Sequence, residues 1–273
     1  MDLTGKTIVI TGSTDGVGRL VAERLAADGA HVLIHGRDRK RGESLVAAIA
    51  KAGKGEATLY LADLSSMSDV RRLAKEILAD NKRIDVLINN AGLGFLPAER
   101  QATVDGYEVR FAVNYLAGFL LTQLLLPTLK ASTPARIVNV ASIGQSPIDF
   151  DDPMMERNWQ GGRVAYTQSK LAQVMFTFSL AEELAGSGVT VNALHPATFM
   201  DTAMVRDAGL TPQSTVAEGA EAILALAAGP QHATTNGAFF NGLKEARANE
   251  QAYDTAARER LQTLSRKATG VDG

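Results

Sequence analysis

Tyr166 and Lys170 lie four residues apart in a segment where apolar residues recur with helical spacing. Side chains at this spacing lie one turn apart on the same face of a helix. A lysine ammonium close to a tyrosine hydroxyl stabilises the phenolate, which lowers the tyrosine pKa from about 10 toward the range of an acid–base catalyst. The pair therefore indicates proton transfer to or from a substrate oxygen. A packed ring beside a solvated amine is the alternative that the spacing alone leaves open.

A glycine-rich turn lies near the start of the sequence, where an apolar run ends and a segment of helical periodicity begins. Because glycine has no Cβ, the backbone can approach a ligand there, and free N–H groups at the helix start can meet the charge of a pyrophosphate. The spacing is G-x-x-x-G-x-G, unlike the commoner G-x-G-x-x-G. Loop geometry without a ligand is the alternative for the turn alone. The predicted dinucleotide contacts in this turn are Gly12, Ser13, Thr14, Asp15, Gly16, Val17 and Gly18.

The end of the second apolar run indicates which dinucleotide fits. An NAD site normally places a carboxylate there to bind the ribose 2′-hydroxyl, whereas this sequence has Gly36 followed by Arg37. A guanidinium beside an open glycine suits a 2′-phosphate through charge-assisted hydrogen bonds. The sequence therefore favours NADP(H), with Arg37 as the discriminating residue. The basic residues that follow, Arg39, Lys40 and Arg41, are interpreted as solvated charges on a surface helix.

The elements that must position these groups follow an alternating pattern of short apolar runs and longer segments of helical periodicity, as in repeated βαβ units. The runs lack polar alternation, which is typical of parallel strands buried on both faces. The predicted fold class is therefore α/β, a Rossmann-type doubly wound parallel sheet of seven strands with helices on both faces, in a single domain. The predicted strands are Thr7–Thr11, His31–His35, Thr58–Leu61, Asp85–Ile88, Arg136–Val140, Thr190–Leu194 and Gly237–Phe240. The predicted helices are Val17–Ala27, Arg39–Ala52, Met67–Asp80, Thr103–Ala131, Val164–Ala185 and Thr215–Ala228.

Composition narrows the functional classes. The 28 basic and 30 acidic residues leave no electrostatic signature for nucleic acid. The sequence has no cysteine, so thiolate catalysis and Cys-ligated metals are excluded, and no metal site is predicted. The N-terminal residues lack the features of a signal peptide, and the most apolar stretch, 111–129, is interrupted by Asn114 and Pro127. We therefore expect a cytoplasmic protein without a membrane span, acting on a small molecule.

Several short motifs occur in a fixed order along nearly the whole chain. Singly each is weak, but in this order the sequence resembles the short-chain dehydrogenase/reductase family. The motifs are the glycine turn at 11–18, Asp63-Leu64, Asn89-Asn90-Ala91-Gly92, Asn114, Ser142, and Tyr166 with Lys170.

The resemblance implies a role for each of four catalytic candidates. Tyr166 would give a proton to, or take one from, the substrate oxygen, while Ser142 would hydrogen-bond that oxygen. Lys170 would bind the nicotinamide ribose and depress the pKa of Tyr166, and Asn114 would hold a water that connects Lys170 to solvent. Without the rest of the set, Asn114 would be interpreted as a polar residue in an apolar helix and Ser142 as a turn hydroxyl.

The resemblance also implies further cofactor contacts. Asp63 and Leu64 would border the adenine, and Asn90, Ala91 and Gly92 would line the adenine-side ribose and the middle of the cofactor. After the sixth strand, Pro196 and Thr198 are predicted contacts, although Ala197 stands where the family commonly has glycine. All of these residues are expected to contact NADP(H).

The interval from Ser142 to Tyr166 is longer than the family's usual one, and the sequence resembles the retinol-dehydrogenase-like branch in this insertion, residues 149–162. We expect a catalytic domain over 1–243 that includes the insertion, and a charged helical tail over 244–273. The substrate pocket is expected between residues 93–96, 143–162 and 199–210. Aromatic and apolar side chains there suggest an apolar or aromatic substrate, namely Phe95, Phe150, Trp159, Phe199 and Met200.

The predicted function is an NADP(H)-dependent oxidoreductase that transfers a hydride between nicotinamide and a carbonyl or secondary alcohol. An imine or activated-alkene reductase on the same scaffold, and a catalytically idle NADP(H)-binding regulator, are the alternatives that remain open. The family resemblance implies a homodimer or homotetramer in which the two long helices, 103–131 and 164–185, pair across subunits.

Overall fold

The computed structural model describes residues 1–271, and in them the apolar runs form one sheet in the order β3-β2-β1-β4-β5-β6-β7-β8. All neighbouring strands are parallel except β7 and β8, which pair antiparallel. The predicted doubly wound α/β fold is confirmed, with a short antiparallel eighth strand added at one edge. The strands are β1 (Thr7–Ile10), β2 (His31–Gly36), β3 (Glu56–Leu61), β4 (Val86–Asn89), β5 (Ala135–Val140), β6 (Val189–His195), β7 (Phe239–Asn241) and β8 (Lys244–Glu245).

Helices connect the strands and cover both faces of the sheet. Side chains fix several helix starts: Asp15 accepts a hydrogen bond from the Gly16 N–H, and Asp38 accepts one from the Arg41 N–H. Such N-caps satisfy N–H groups that have no partner within the helix. The helices are α1 (Gly16–Ala27), α2 (Arg39–Ala52), α3 (Met67–Asp80), α4 (Ala117–Ala131), α5 (Gly162–Glu183), α6 (Ala203–Asp207), α7 (Val216–Ala228) and α8 (Thr255–Thr269).

The predicted helix over 103–131 is wrong at its start, where residues 103–108 are not helical. Thr103 Oγ1 instead accepts hydrogen bonds from the N–H groups of Asp105 and Tyr107, and Gly106 has a φ of 86°. These contacts form a local turn, because a threonine hydroxyl competes with helical hydrogen bonding. Helical structure begins at residue 109, and a π-helical turn, Phe111–Leu116, follows and continues into α4.

The core has one apolar layer on each side of the sheet. Residues of α3, α4 and α5 form one layer, and residues of α1, α2 and α7 form the other. The stretch Phe111–Ala131 is long and apolar enough to cross a membrane, but 67% of its most apolar window is buried inside the fold. Its hydropathy is therefore accounted for by packing in the first layer.

The C-terminal tail, predicted as charged and helical from 244, starts as strand β8, continues through a 3₁₀ turn at Glu250–Tyr253, and ends in α8. Residues 272 and 273 of that prediction lie outside the described residues. Ala252, Ala257 and Leu261 are buried in the same apolar layer as α5. The tail therefore covers part of α5 within the same chain.

Candidate active site

A cavity of about 790 Å³ opens at the carboxyl ends of the central strands. In the order β3-β2-β1-β4, the chain changes direction between β1 and β4, and ligands of open α/β sheets bind in the crevice at such a point. Most predicted site residues line this one cavity. They are Gly12, Thr14, Asp15, Gly16, Val17, Gly18, Arg37, Asp63, Leu64, Asn90, Ala91, Gly92, Ser142, Tyr166, Lys170, Pro196 and Thr198.

Two glycines of the turn are required by close backbone packing. A Cβ on Gly12 would lie 2.8 Å from Ala91 Cα, and one on Gly18 would overlap the carbonyl oxygen of Gly12. Asn90 Nδ2 donates to the carbonyl oxygens of Thr11 and Gly12, at 2.9 and 3.0 Å. These hydrogen bonds therefore hold the turn after β1 against the segment after β4 in the wall of the cavity. Ser13, a predicted contact, is fully buried and does not line the cavity.

His35 supports the glycine turn through a hydrogen bond. The sequence did not indicate this role. Its Nδ1 accepts a hydrogen bond from the Gly12 N–H at 3.1 Å, and its Nε2 lies 3.1 Å from the Ala62 carbonyl oxygen. Burial lowers the pKa of His35 to about 4, although the hydrogen bond to Ala62 acts in the opposite direction. The ring is therefore neutral at physiological pH, with the proton on Nε2. One buried histidine thus connects the turn to the strand end that precedes Asp63.

The end of β2 lacks a carboxylate facing the cavity. A Cβ on Gly36 would lie 2.5 Å from the Thr14 side chain, so a larger residue does not fit there. Arg37 lines the cavity, whereas Asp38 caps α2 and is absent from the lining. Asp15 does line the cavity, but its Oδ2 is 2.6 Å from Arg41 Nη1. Arg41, interpreted above as a solvated charge, therefore offsets this carboxylate.

Ser142, which follows β5, and Tyr166, on α5, meet at the cavity wall. Burial raises the pKa of Tyr166, and the nearby Ser142 hydroxyl acts against that rise. The sequence predicts a lowered pKa for Tyr166, and the structure gives a raised one because burial of the phenol dominates. A protonated phenol is the form that can donate a proton to a substrate oxygen.

Lys170 is buried, with 5% of its surface exposed, one helical turn beyond Tyr166. Its Nζ donates to the Val140 carbonyl oxygen and to Gln173 Oε1, both at 2.8 Å, and lies 5.8 Å from the centroid of the Tyr166 ring. Burial lowers the pKa of Lys170 to about 7. A Cβ on Gly92 would be 3.4 Å from this ammonium nitrogen. The lysine therefore reaches the cavity beside the Gly92 backbone.

Asn114 lies in the π-helical turn, outside the lining of the main cavity. Its Oδ1 accepts from the Leu93 N–H at 2.7 Å, and its Nδ2 donates to Ser169 Oγ at 2.8 Å. The side chain thus connects the segment after β4 to α5. Its predicted role in holding a water beside Lys170 stays a prediction.

The expected pocket wall is only partly correct. Phe95, Phe199 and Met200 line the cavity, whereas Phe150 and Trp159 do not. Within the expected segment 143–162, only Ile143 and Gly144 are lining residues. The insertion, residues 149–162, therefore lies outside the cavity wall. There Trp159 Nε1 donates to the Ala98 carbonyl oxygen.

Apolar side chains surround the opening of the cavity. Leu96, Ile143 and Met204 all line it and remain 52%, 53% and 45% exposed. A Cβ on Gly94 would lie 2.8 Å from Met204 Cγ, so α6 is in close contact with the segment that carries Leu96. This end of the cavity suits an apolar ligand.

Comparison with known proteins identifies the family of this chain. The sequence profile of a family described as short chain dehydrogenase matches residues 6–213. The chain belongs to the short-chain dehydrogenase family. The matched span includes the glycine turn, Ser142, Tyr166 and Lys170. The chain is therefore an oxidoreductase of a family that binds a nicotinamide cofactor and acts on small molecules.

Among curated proteins, this short-chain dehydrogenase is similar to retinol dehydrogenases. It is 36% identical to retinol dehydrogenase 13 of Homo sapiens, with 99% of this chain and 86% of the relative covered. It is 38% identical to retinol dehydrogenase 12 of Homo sapiens, with 99% and 88% covered. The expected retinol-dehydrogenase-like resemblance is confirmed.

Solved structures of similar fold include one that holds NADP. An uncharacterized protein from Mycobacterium paratuberculosis has a TM-score of 0.82 at 30% identity, covering 98% of this chain and 95% of that one. The RhlG/NADP active-site complex of Pseudomonas aeruginosa has a TM-score of 0.71 at 29% identity, covering 88% and 95%.

Proposed function

We propose that this protein is an NADP(H)-dependent oxidoreductase that transfers a hydride between nicotinamide and a carbonyl or secondary alcohol. One observation carries the proposal: Ser142, Tyr166 and Lys170 line the same cavity as the glycine turn and Arg37. A single ligand site of about 790 Å³ thus contains both dinucleotide-binding backbone and an acid–base set.

The residues present fit a dinucleotide phosphate. The close approach of Gly12 to Ala91 and of Gly18 to Gly12 leaves backbone rather than side chains at the start of α1, where N–H groups bind phosphate. Arg37 would bind a 2′-phosphate, while the cavity-facing carboxylate of Asp15 is paired with Arg41. The absence of a carboxylate at Gly36 disfavours the 2′-hydroxyl of NAD.

A bound NADP(H) would supply or accept the hydride, and the side chains control the substrate oxygen. Ser142 hydrogen-bonds that oxygen and holds it beside the Tyr166 hydroxyl. Tyr166 donates its proton during reduction and accepts one during oxidation. Lys170, held by Val140 and Gln173, would bind the ribose hydroxyls of the cofactor, and Asn114 would hold a water through which Lys170 exchanges protons with solvent. Holding the substrate oxygen between two fixed hydroxyls orients the reacting carbon and so lowers the entropic part of the barrier.

The proposed substrate is apolar or aromatic. Support comes from the exposed Leu96, Ile143 and Met204 at the opening and from Phe95 beside Tyr166. The names of the similar human proteins make retinol and the corresponding aldehyde the first substrates to test.

The cofactor part of the proposal is tested by fluorescence titration of NADPH and NADH. We expect NADPH to bind at least about tenfold more tightly than NADH, and Arg37→Ala to remove most of that difference, because a charge-assisted hydrogen bond contributes about 1.5–3 kcal/mol. Arg39→Ala is the matched control, since Arg39 is exposed, pairs with Glu43 at 3.5 Å and does not line the cavity. Equal affinities for the two nucleotides would refute the NADP preference.

The chemical part is tested by NADPH consumption on a panel of retinaldehyde, aliphatic and aromatic ketones, imines and activated alkenes. Reduction of a carbonyl supports the proposal. Turnover of imines or alkenes alone would replace it with the reductase alternative. Tight NADPH binding without any turnover would favour the regulator.

A cytoplasmic location and a homo-oligomeric state are the remaining parts of the proposal. Because the tail covers α5, a homodimer or homotetramer of this chain needs a contact face other than the covered side of α5. Light scattering on the purified protein measures the state directly.

A further inference from the structure

Arg110 is a fully buried arginine that the proposed mechanism does not use. Its Nε donates to the Gly94 carbonyl oxygen at 2.9 Å, and its Nη2 donates to the carbonyl oxygens of Phe95, at 2.8 Å, and Pro97. One guanidinium therefore binds three carbonyl groups of a single short segment. A planar, rigid donor group is suited to fixing several acceptors at once.

Glu108 compensates the charge of Arg110. Its Oε1 accepts from Arg110 Nη1 at 2.9 Å, and both residues are almost completely excluded from solvent. Its Oε2 accepts from the backbone N–H groups of Arg110 and Phe111, both at 2.8 Å. A buried charge is tolerated when it is paired and hydrogen-bonded in this way. The pair is thus anchored at the start of the π-helical turn.

The segment that Arg110 holds is a wall of the active-site cavity. Phe95 contacts Tyr166 edge to face, with ring centroids 4.9 Å apart and an interplanar angle of 89°. The first turn of α5 approaches the same segment: a Cβ on Gly162 would overlap the Phe95 carbonyl oxygen and lie 2.7 Å from Arg110 Nη2. Arg110 therefore lies where the cavity wall meets the helix that carries Tyr166.

The insertion covers this arrangement from outside. The guanidinium carbon of Arg110 lies 6.0 Å from the centroid of the Trp159 ring, and Trp159 Nε1 donates to the Ala98 carbonyl oxygen at 3.1 Å. Trp159 thus contacts both the arginine and the end of the segment that it holds.

We propose that Arg110 is a positioning residue that holds Phe95 against Tyr166 and so fixes the substrate-side wall and the orientation of the Tyr166 hydroxyl. The expected loss of turnover rests on the proposed function, whereas the expected contact between Phe95 and Tyr166 does not depend on turnover. The hydrogen bonds of Arg110 go to the substrate-side wall and to Glu108, so the cofactor side of the cavity is expected to stay intact without it.

The test is a double-mutant cycle between Arg110→Met and Phe95→Leu, with Arg110→Lys as the conservative variant. We expect Arg110→Met to lower kcat/KM at least about tenfold with the NADPH Kd within about twofold of wild type, and Arg110→Lys to recover part of the loss. In the Phe95→Leu background the same substitution should cost less than about threefold, because the two residues act through one contact. Arg136→Met is the matched control: Arg136 binds the carbonyl oxygens of Leu226 and Gly229 and does not line the cavity.

Amide hydrogen exchange supplies a readout that needs no activity. In Arg110→Met we expect at least about tenfold faster exchange in residues 164–166 of the first turns of α5, where the Val164 and Ala165 N–H groups donate to the Gly161 carbonyl oxygen, with residues 12–18 unchanged. A wild-type protein that reduces nothing would overturn the proposed function, and the exchange rates would still decide the role of Arg110.

Three results would overturn the inference: wild-type kcat/KM in Arg110→Met, equal losses in both backgrounds, or unchanged exchange at 164–166. If Arg110→Met does not fold, Gly162→Ala disturbs the same contact while keeping the charge. Its Cβ must displace the Phe95 carbonyl group, so unchanged kcat/KM in that variant would also reject the proposal.

Discussion

Replacing His35 with leucine tests whether a neutral histidine holds the glycine turn. The substitution leaves the part-buried Gly12 N–H and the buried Ala62 carbonyl oxygen without these partners. Each unsatisfied buried group costs about 1–3 kcal/mol. We therefore expect the free energy of unfolding at about pH 7.5 to fall by about 2–4 kcal/mol, and the NADPH affinity to fall with it because the turn loses its support.

The pH dependence makes the prediction specific to His35. Its pKa is 6.5 as an ordinary value and about 4 in the folded protein. Between these values the unfolded chain binds more protons, so the stabilisation is complete above pH 6.5 and is lost as the pH falls toward 4. Between about pH 7.5 and about pH 5, one such group costs the wild type about 2 kcal/mol. His195, whose pKa burial also lowers to about 4, contributes equally in both proteins and cancels.

The assay is urea unfolding of wild type and His35→Leu at the two pH values, with NADPH titration at the higher one. We expect the difference in stability between the two proteins to shrink by about 2 kcal/mol at the lower pH. A constant difference would show that His35 is not the neutral group inferred from its hydrogen bonds. Unchanged NADPH affinity would show that it does not support the turn.

The other predictions concern the phenol, the glycine turn and the tail. Tyr166→Phe should lower kcat by about 10²–10⁴-fold, the range of general acid–base catalysis, with the NADPH Kd unchanged; near-normal turnover would reject the assigned role. Gly18→Ala should destabilise the fold by about 1–3 kcal/mol through overpacking and weaken NADPH binding. Gly53→Ala, at a φ of 75° with open space around it, should destabilise without affecting binding, and equal affinities in the two glycine variants would contradict the packing argument. Leu261→Ala should lower the unfolding free energy by about 2–5 kcal/mol, as urea unfolding would measure, because α8 is part of the core; a change below about 0.5 kcal/mol would indicate a loosely held tail.

The order of strands and helices could be predicted from the sequence because it depends on local periodicity. Apolar runs without alternation become strands buried on both faces, and segments with a period of about 3.6 become helices that bury one face. The starts of α1 and α2 follow equally local signals, the caps Asp15 and Asp38. The prediction failed at 103–108, where a threonine turn replaces a helix.

The candidate site could be predicted where a short motif carries the chemistry. The glycine turn, Ser142, Tyr166 and Lys170 are each recognisable by type and spacing, and the fold brings them to one cavity. The supporting residues carry no such signal. His35 meets Gly12 across 23 positions, and nothing in the sequence around either residue indicates that contact.

Two further features depended on the tertiary structure. The aromatic residues of the insertion suggest a pocket wall from composition, yet Trp159 packs behind the wall on Arg110. The four-residue spacing of Tyr166 and Lys170 predicts a lowered tyrosine pKa, yet burial raises it. Burial and long-range contacts depend on segments that are distant in sequence, so only the folded chain determines them. Periodicity, helix caps and motifs depend on residues that are adjacent in sequence.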